Sequence, residues 1–223
     1  MSDYADARVR MVDSQLRTED VTDYGILAAM GDVPRELFVP DRLKPLAYID
    51  EDLLIKAAVD GAPARYLMEP APFARLLQAA GIASTDAVLD VGCGTGYTAA
   101  VLARLADRVV ALDSDESLAA EAVRLLRDLG AANVGVEEGP LEAGDTNGAP
   151  YDVIVLEGSV EVVPEALFAQ LAEGGRLVAV VGYGRAASAT VFTKTDGDVG
   201  ARKAFDAHVP RLPGFEKPKA FVF

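Results

Sequence analysis

Two kinds of apolar run alternate along most of the chain. Short, nearly continuous runs are typical of buried strands, which are predicted at 88–91, 109–112, 133–137, 152–157 and 176–181. Runs with apolar residues at helical spacing lie between them, and they predict helices at 71–80, 98–106, 117–129 and 164–171. Strands that alternate with helices in this way are typical of an α/β domain.

Both ends of the chain depart from this alternation. Before residue 70, apolar residues at helical spacing predict helices over 6–17 and 23–30, whose apolar faces must rest on the main domain. Near the other end, alternating apolar and polar positions predict an antiparallel hairpin with its turn at Asp196-Gly197-Asp198. We therefore divide the chain into a helical N-terminal cap with a substrate-side segment, 1–70, and a main core, 71–223.

Three glycines at alternate positions, Gly92, Gly94 and Gly96, follow the strand at 88–91. They predict a tight turn in which a nucleotide-like ligand lies directly on backbone, because no Cβ holds it away. The G-x-G-x-G spacing differs from the G-x-G-x-x-G of NAD-binding dehydrogenases, which argues against NAD. Asp113 ends the next apolar run, where a carboxylate can accept hydrogen bonds from both ribose hydroxyls. The alternative is a purely structural turn beside a solvated aspartate.

Composition and charge narrow the possible partners. A net charge of −14 repels phosphate backbones, so nucleic acid is not expected, and polypeptide or small-molecule acceptors remain. No apolar run approaches the ~20 residues of a membrane span and no signal-peptide pattern opens the chain, so we expect a cytoplasmic protein. Cys93 is expected to pack within the glycine loop, and no metal site is expected because neither His nor Cys accompanies the acids at 50–52. The oligomeric state is open, and a monomer is compatible with the pattern.

The order of strand, glycine loop, helix, strand and acid resembles the class I S-adenosylmethionine-dependent methyltransferases. This resemblance implies a three-layer α/β/α sandwich with a Rossmann-like sheet, and S-adenosylmethionine as the cofactor. It also implies that Asp90 and the loop amides face the methionine part of the cofactor, and that Asp113 faces the ribose. The residues expected at the cofactor are Asp90, Gly92, Cys93, Gly94, Thr95, Gly96, Asp113, Ser114, Gly139, Pro140 and Leu141.

Further segments carry a more specific resemblance. They are Val33-Pro34-Arg35, Phe38-Val39-Pro40, Ala47-Tyr48, Leu89-Asp90-Val91-Gly92-Cys93-Gly94-Thr95-Gly96-Tyr97 and Gly174-Gly175-Arg176-Leu177-Val178. The family that they resemble is the protein-L-isoaspartate O-methyltransferases, which methylate damaged aspartyl residues for repair. The resemblance spans most of the chain and implies the same activity on polypeptides.

The chain departs from that family just before Pro70. The family's Gly-Tyr-Gly-Gln-Thr-Ile-Ser-Gln-Pro type of segment is replaced by a longer one, and alignment on Pro70 puts Met68 at the position of the family's active-site serine. A thioether cannot donate a hydrogen bond. Arg65 is a candidate substitute that would clamp an acceptor carboxylate through two hydrogen bonds, and the alternative is an exposed arginine on a loop. The inserted residues 56–64 are a candidate lid.

Two further departures lie in the core, at Glu157 and Pro140. Glu157 puts a carboxylate at a strand end where the family has small, mostly neutral residues. It would repel an isoaspartyl group, orient an amine or act as a base for a neutral acceptor, or it simply points into solvent. Pro140 supplies no N–H to the adenine loop, which predicts a lowered cofactor affinity. The acceptor-side candidates are therefore Arg65, Met68 and Glu157.

Three functions remain open on this basis. The first is repair methylation of isoaspartyl peptides. The second is methylation of a different acceptor by the same scaffold. The third is a cofactor-binding or interaction protein without turnover.

Overall fold

A seven-stranded sheet forms the centre of the fold, in a computed structural model that describes residues 4–59 and 61–217. The strands are β1 (Leu53–Lys56), β2 (Arg65–Leu67), β3 (Ala87–Val91), β4 (Arg108–Asp113), β5 (Val134–Glu138), β6 (Tyr151–Val160), β7 (Leu171–Val181), β8 (Ser188–Thr195) and β9 (Asp198–Asp206). The central sheet has the order β5-β4-β3-β6-β7-β8-β9, and β1 pairs with β2 in a separate antiparallel hairpin.

The α-helices lie before the sheet and between its strands. They are α1 (Tyr4–Met11), α2 (Tyr24–Asp32), α3 (Pro70–Ala80), α4 (Tyr97–Leu102), α5 (Glu116–Asp128) and α6 (Glu165–Ala169). Helix α3 has proline in its first turn and ends at Gly81, whose φ of +59° is accessible to glycine at no steric cost. Helix α5 begins at Asp115, whose side chain accepts hydrogen bonds from the amides of Ser117 and Leu118. A π-helical turn (Val12–Leu16) follows α1 directly.

The sheet confirms the predicted α/β architecture. Strands β3 to β7 are parallel, whereas β8 and β9 are antiparallel and form the predicted hairpin. The strand order reverses at β3, because β4 lies on one side of it and β6 on the other. In open α/β sheets ligands bind at such a reversal, outside the carboxyl ends of the strands. The reversal thus puts the glycine loop after β3 and the acid after β4 at one edge.

The β1–β2 hairpin is the main element that sequence patterns did not predict. Its strands are only four and three residues long, and they pair with Leu53 opposite Leu67 and Lys56 opposite Arg65. Such short strands have no clear alternation of apolar and polar residues, so their pairing depends on contacts with the rest of the fold. Strand β6 also extends beyond its predicted end at residue 157.

The N-terminal segment packs tightly against the core. Arg35 is fully buried, donates hydrogen bonds to the carbonyls of Ala47 (2.8 Å) and Met68 (2.6 Å), and lies 4.8 Å from the ring centre of Tyr97. Phe38 contacts the same tyrosine edge-on. The largest apolar cluster contains residues from both sides of position 70, which remains a predicted boundary. Residues 218–223 of the predicted core lie outside the described part of the chain. Within the described residues, no helix is long and apolar enough to cross a membrane.

Candidate active site

Asp113 lies at the carboxyl end of β4, and its side chain is completely buried. Both terminal guanidinium nitrogens of Arg65 donate to it, Nη1 to Oδ1 and Nη2 to Oδ2, each at 2.7 Å. The amide of Gly94 donates to Oδ2 at 2.8 Å, and that of Asp115 to Oδ1 at 3.0 Å. The carboxylate predicted to hold a ribose therefore accepts four hydrogen bonds from its own chain.

The structure contradicts the predicted role of Arg65. Arg65 is buried on β2 and forms a bidentate ion pair with Asp113. It is therefore not an exposed arginine on a loop, and its guanidinium is not free to clamp an acceptor. Its Nη2 also donates to the carbonyl of Gly92 at 3.2 Å. The reason is the β1–β2 hairpin, which folds over the glycine loop and brings together residues that are 48 positions apart. Arg65 was expected to clamp the carboxylate of an acceptor, but the carboxylate that it binds belongs to Asp113 of its own chain.

A second ion pair fixes the same hairpin to the start of α5. Lys56 Nζ donates to Asp115 Oδ1 at 2.7 Å and to Ser117 Oγ at 2.8 Å. Partial burial alone would raise the pKa of Asp115, but its hydrogen bonds from Lys56, Ser117 and the Leu118 amide lower it to about 2. Asp60, within the predicted lid at 56–64, lies outside the described residues.

The glycine loop has the predicted backbone, but the amides of Gly92, Cys93, Gly94 and Gly96 already have partners within the chain. Gly92, Gly94 and Gly96 have φ values of +87°, +57° and +92°, which only glycine adopts without strain. The amides of Gly92 and Cys93 both donate to the carbonyl of Leu112, and the Gly96 amide donates to that of Cys93. These four amides are therefore not free to face the methionine part, as we expected of the loop amides.

Side chains from two other segments cover the loop. A Cβ on Gly94 would lie 2.8 Å from Ile55 Cδ1, and a Cβ on Gly92 would lie 2.5 Å from Leu212 Cδ1. Ile55 belongs to β1, whereas Leu212 belongs to the segment after β9 and is buried. That segment is held by β6, because Ser159 donates its amide to Pro210 and accepts one from Leu212. The hairpin and the C-terminal segment thus close the loop from two sides.

Asp90 and Glu157 form a buried pair of carboxyl groups. Asp90 Oδ2 accepts from Thr98 Oγ1 at 2.6 Å, whereas Asp90 Oδ1 and Glu157 Oε1 have no N–H or hydroxyl donor among the described residues. Each acid acts on the pKa of the other, and we infer that a proton shared between them supplies the missing hydrogen bond. Burial raises the pKa of Asp90 to about 7, and burial together with the charge of Asp90 raises the pKa of Glu157 well above its usual range.

This pairing changes the interpretation of Glu157. The prediction that it simply points into solvent is wrong for its buried Oε1. Burial and the charge of Asp90 favour the protonated form of this carboxyl group, which weakens repulsion of an anionic acceptor. A protonated carboxyl group remains a hydrogen-bond donor.

The other predicted site residues are distributed around this centre. Cys93 is buried, and burial raises the pKa of its thiol well above the usual value, which agrees with packing. Thr95 donates to the carbonyl of Phe38 at 2.6 Å and so ties the loop to the N-terminal segment. The Gly139 amide donates to the carbonyl of Asp113. Of the remaining residues, Ser114 and Pro140 are exposed, whereas Leu141 is buried.

Met68, a predicted acceptor-side residue, lies in the apolar interior. Its side chain is buried in the main apolar cluster, and its carbonyl accepts a hydrogen bond from Arg35. An unbranched thioether fits irregular apolar space, so this placement favours a packing role. The serine of the family thus has no polar counterpart at this position.

A groove of about 680 Å³ lies on the far side of the hairpin and the C-terminal segment. Tyr66 is 40% exposed, and the guanidinium of Arg211 lies 3.9 Å from the ring centre of Tyr183. The lining residues are Asp52, Pro63, Ala64, Tyr66, Ser159, Tyr183, Gly184, His208, Val209, Pro210 and Arg211. The groove therefore presents two aromatic rings and a cation at the carboxyl edge of β6 and β7.

Sequence patterns missed Ile55, Lys56, Arg211 and Leu212. Lys56 and Ile55 lie in a hairpin too short to recognise, and Arg211 and Leu212 lie in a segment whose apolar residues have no periodic spacing. The pairing of Lys56 with Asp115 had no local signal, because the two residues are 59 positions apart. Within 4–59 and 61–217, no cluster of three or more His, Cys, Asp or Glu side chains is arranged to hold a metal ion.

The fold and this site define a class I methyltransferase. A family model described as protein-L-isoaspartate(D-aspartate) O-methyltransferase matches residues 7–210. The protein-L-isoaspartate O-methyltransferase of Koribacter versatilis (strain Ellin345) is 40% identical over 214 residues, which is 96% of this chain and 94% of the relative. The chain therefore belongs to the protein-L-isoaspartate(D-aspartate) O-methyltransferase family, as its motifs indicated.

Solved structures agree with this assignment. A protein-L-isoaspartate O-methyltransferase structure matches with a TM-score of 0.79 at 28% identity, over 93% of this chain and 67% of that one. A Plasmodium falciparum protein assigned to the same family, solved in complex with S-adenosyl-L-homocysteine, matches with a TM-score of 0.77 at 19% identity, over 93% and 98%. The second match supports the fold alone. The predicted three-layer fold is confirmed.

The residues around Asp113 fit S-adenosylmethionine in their chemistry. They provide a carboxylate at a strand end for a ribose diol and glycines that a Cβ would block. They also provide a buried oxygen of Asp90 that lacks a conventional donor. Binding requires that Arg65, Ile55 and Leu212 make room. Family membership and this chemistry together confirm S-adenosylmethionine as the cofactor.

Proposed function

We propose that this chain transfers a methyl group from S-adenosylmethionine to the free α-carboxylate of isoaspartyl residues in polypeptides, in which the side-chain carboxyl forms the peptide bond. Family membership over residues 7–210 supports the activity. The observation that carries the proposal is the position of Asp113, which lies beside the glycine loop where the strand order of the sheet reverses.

The chain's own residues bind, orient and shield the reactants. Asp113 holds the ribose, and Asp90 with Thr98 lies at the end of β3 toward the methionine part. The cofactor supplies a methyl group on a positively charged sulfur, which an ionised carboxylate accepts without losing a proton. No strong base is therefore required, and orientation and exclusion of water supply the rate enhancement.

The groove beside Tyr66 and Tyr183 is suited to the acceptor. Its walls are partly backbone, at Pro210 and Gly184, which suits an extended polypeptide. Arg211 provides a positive charge in a chain whose net charge is −14, so an acidic peptide finds a favourable contact here. The polypeptide acceptor therefore enters from the side opposite to Asp113.

The test uses two peptides of the same sequence, one with an isoaspartyl linkage and one with a normal aspartyl linkage. Wild-type protein should form a methyl ester only on the first, measured as methanol released in mild base, and excess S-adenosylhomocysteine should suppress the reaction. Binding of S-adenosylhomocysteine without any ester on the isoaspartyl peptide would contradict the proposal.

A different acceptor is a second candidate, favoured by the buried Met68 at the position of the family's serine. Equal methyl transfer to both linkages, or transfer only to other carboxylic acids, would support it. A binding protein without turnover is a third candidate, favoured by the ion pair that occupies Asp113. A cytoplasmic location, a monomeric state and the absence of a nucleic-acid partner remain predictions.

A further inference from the structure

The four hydrogen bonds on Asp113 leave no room for a ribose. A carboxylate has about four acceptor positions. Arg65 Nη1 and the Asp115 amide occupy Oδ1, and Arg65 Nη2 and the Gly94 amide occupy Oδ2. The two backbone donors belong to the frame of the site, whereas the guanidinium comes from a separate hairpin. Arg65 is thus the partner that a ribose diol has to replace.

The strand that carries Arg65 has a second face. Because successive side chains of a strand point in opposite directions, Arg65 faces Asp113 while its neighbours Ala64 and Tyr66 line the acceptor groove. The C-terminal segment has the same arrangement, since Leu212 covers Gly92 while Arg211 lines the groove. The same two segments therefore close the cofactor site and form the acceptor site.

We propose that Arg65 is a gating and positioning residue: its ion pair with Asp113 holds the cofactor site closed, and cofactor entry releases the guanidinium and rearranges the Ala64 and Tyr66 wall of the acceptor groove. The inference rests on the proposed function, because it takes S-adenosylmethionine as the ligand of Asp113. In this proposal the Arg65–Asp113 ion pair competes with the cofactor for Asp113 and does not strengthen cofactor binding. By thermodynamic linkage, the acceptor peptide and the cofactor then change each other's affinity by the same factor.

The first test is calorimetric binding of S-adenosylhomocysteine to wild type and to Arg65→Gln. Loss of the competing pair should tighten binding by about tenfold or more, the equivalent of one charged hydrogen bond. Arg65→Lys, which keeps the charge but not the planar fork, should fall between the two. The matched control is Arg75→Gln, which removes the same charge from a residue of α3 paired with Glu19 and should leave the affinity unchanged.

Unchanged or weaker binding in folded Arg65→Gln would overturn the gate, because Arg65 would then be neutral toward the cofactor or support it. If Arg65→Gln does not fold, hydrogen exchange on the wild type decides. S-adenosylhomocysteine should speed exchange of the amides in β1 and β2 if it opens the pair, and slower or unchanged exchange would reject the gate. If wild type binds S-adenosylhomocysteine but neither tighter binding by Arg65→Gln nor faster exchange is seen, only the gate is rejected. If neither wild type nor the folded variant binds S-adenosylhomocysteine, both the gate and the proposed methyl transfer are rejected.

Discussion

Asp90 and Asp113 stand at the ends of adjacent strands, and both side chains are completely buried, yet their surroundings differ. Asp113 accepts four hydrogen bonds, two of them from a guanidinium. Asp90 accepts one from Thr98 and shares a proton with a second acid, Glu157. The two side chains are equally buried. A cation compensates for the burial of Asp113, whereas a proton compensates for the burial of Asp90.

The difference shows that the partners of a buried acid, more than its depth, decide what it can do. The carboxylate of Asp113 is satisfied, so a ligand there must displace a partner. The free oxygen of Asp90 is compensated by the proton that it shares with Glu157, so a ligand there must replace that proton rather than a cation. Four expected outcomes test this comparison.

Asp113→Asn should give the largest loss of stability. It leaves the Arg65 guanidinium buried beside a neutral amide, and breaking a buried ion pair from one side typically costs ~3–5 kcal/mol. Urea denaturation measures the change in the free energy of unfolding. Asp128→Asn, in an exposed pair, is the control and should change it by less than ~0.5 kcal/mol. Similar small effects for both variants would show that Arg65 does not depend on Asp113.

Thr98→Val should have a smaller effect, about 1.5–3 kcal/mol, because it removes the one hydroxyl donor to a buried carboxyl group without changing the side-chain shape. The matched control is Thr95→Val, which removes a hydroxyl that donates to the neutral carbonyl of Phe38 and should cost about 0.5–1.5 kcal/mol. Urea denaturation measures the free energy of unfolding of both variants. Equal losses would mean that the hydrogen bond to Asp90 contributes no more stability than the one to the neutral carbonyl.

The pH dependence of stability tests the shared proton. The pKa of Asp90 is about 7 in the folded chain and about 3.9 in an unfolded one, so the folded state binds more protons between these values. The free energy of unfolding should therefore fall as the pH rises from about 4 to about 7. Burial also raises the pKa of Glu69 to about 7, which adds a fall of the same sign.

The variant Glu157→Gln separates the two contributions. Its amide can donate to an ionised Asp90, so the fall between pH 4 and 7 should become shallower, whereas Glu69→Gln should remove only its own share. Parallel curves for wild type and Glu157→Gln in urea titrations at stepped pH would contradict a shared proton.

Lys56→Met should give the smallest change. Its ion pair with Asp115 is partly exposed, with about a third of the Lys56 side chain accessible, so less than ~1 kcal/mol is expected. Urea denaturation measures the change, and a loss as large as that of Asp113→Asn would mean that this pair, rather than the buried one, holds the hairpin.

Local patterns determined much of the fold. The alternation of strands and helices, the stop of α3 at Gly81 and the glycine loop all depend on residues close together in the chain, and each was predicted. Asp113 could be placed at the loop for the same reason, because parallel strands end at one edge of a sheet. The sequence by itself thus determined the architecture, the family and the position of the cofactor site.

Only the tertiary structure decided what that site touches. Arg65 meets Asp113 across 48 positions, and Glu157 meets Asp90 from another strand. A short hairpin and a C-terminal segment without periodicity close the glycine loop, as Ile55 and Leu212 show. Contacts between distant segments leave no periodic pattern in the sequence, because they depend on how the packed elements meet. The charge state of each buried acid follows from those contacts.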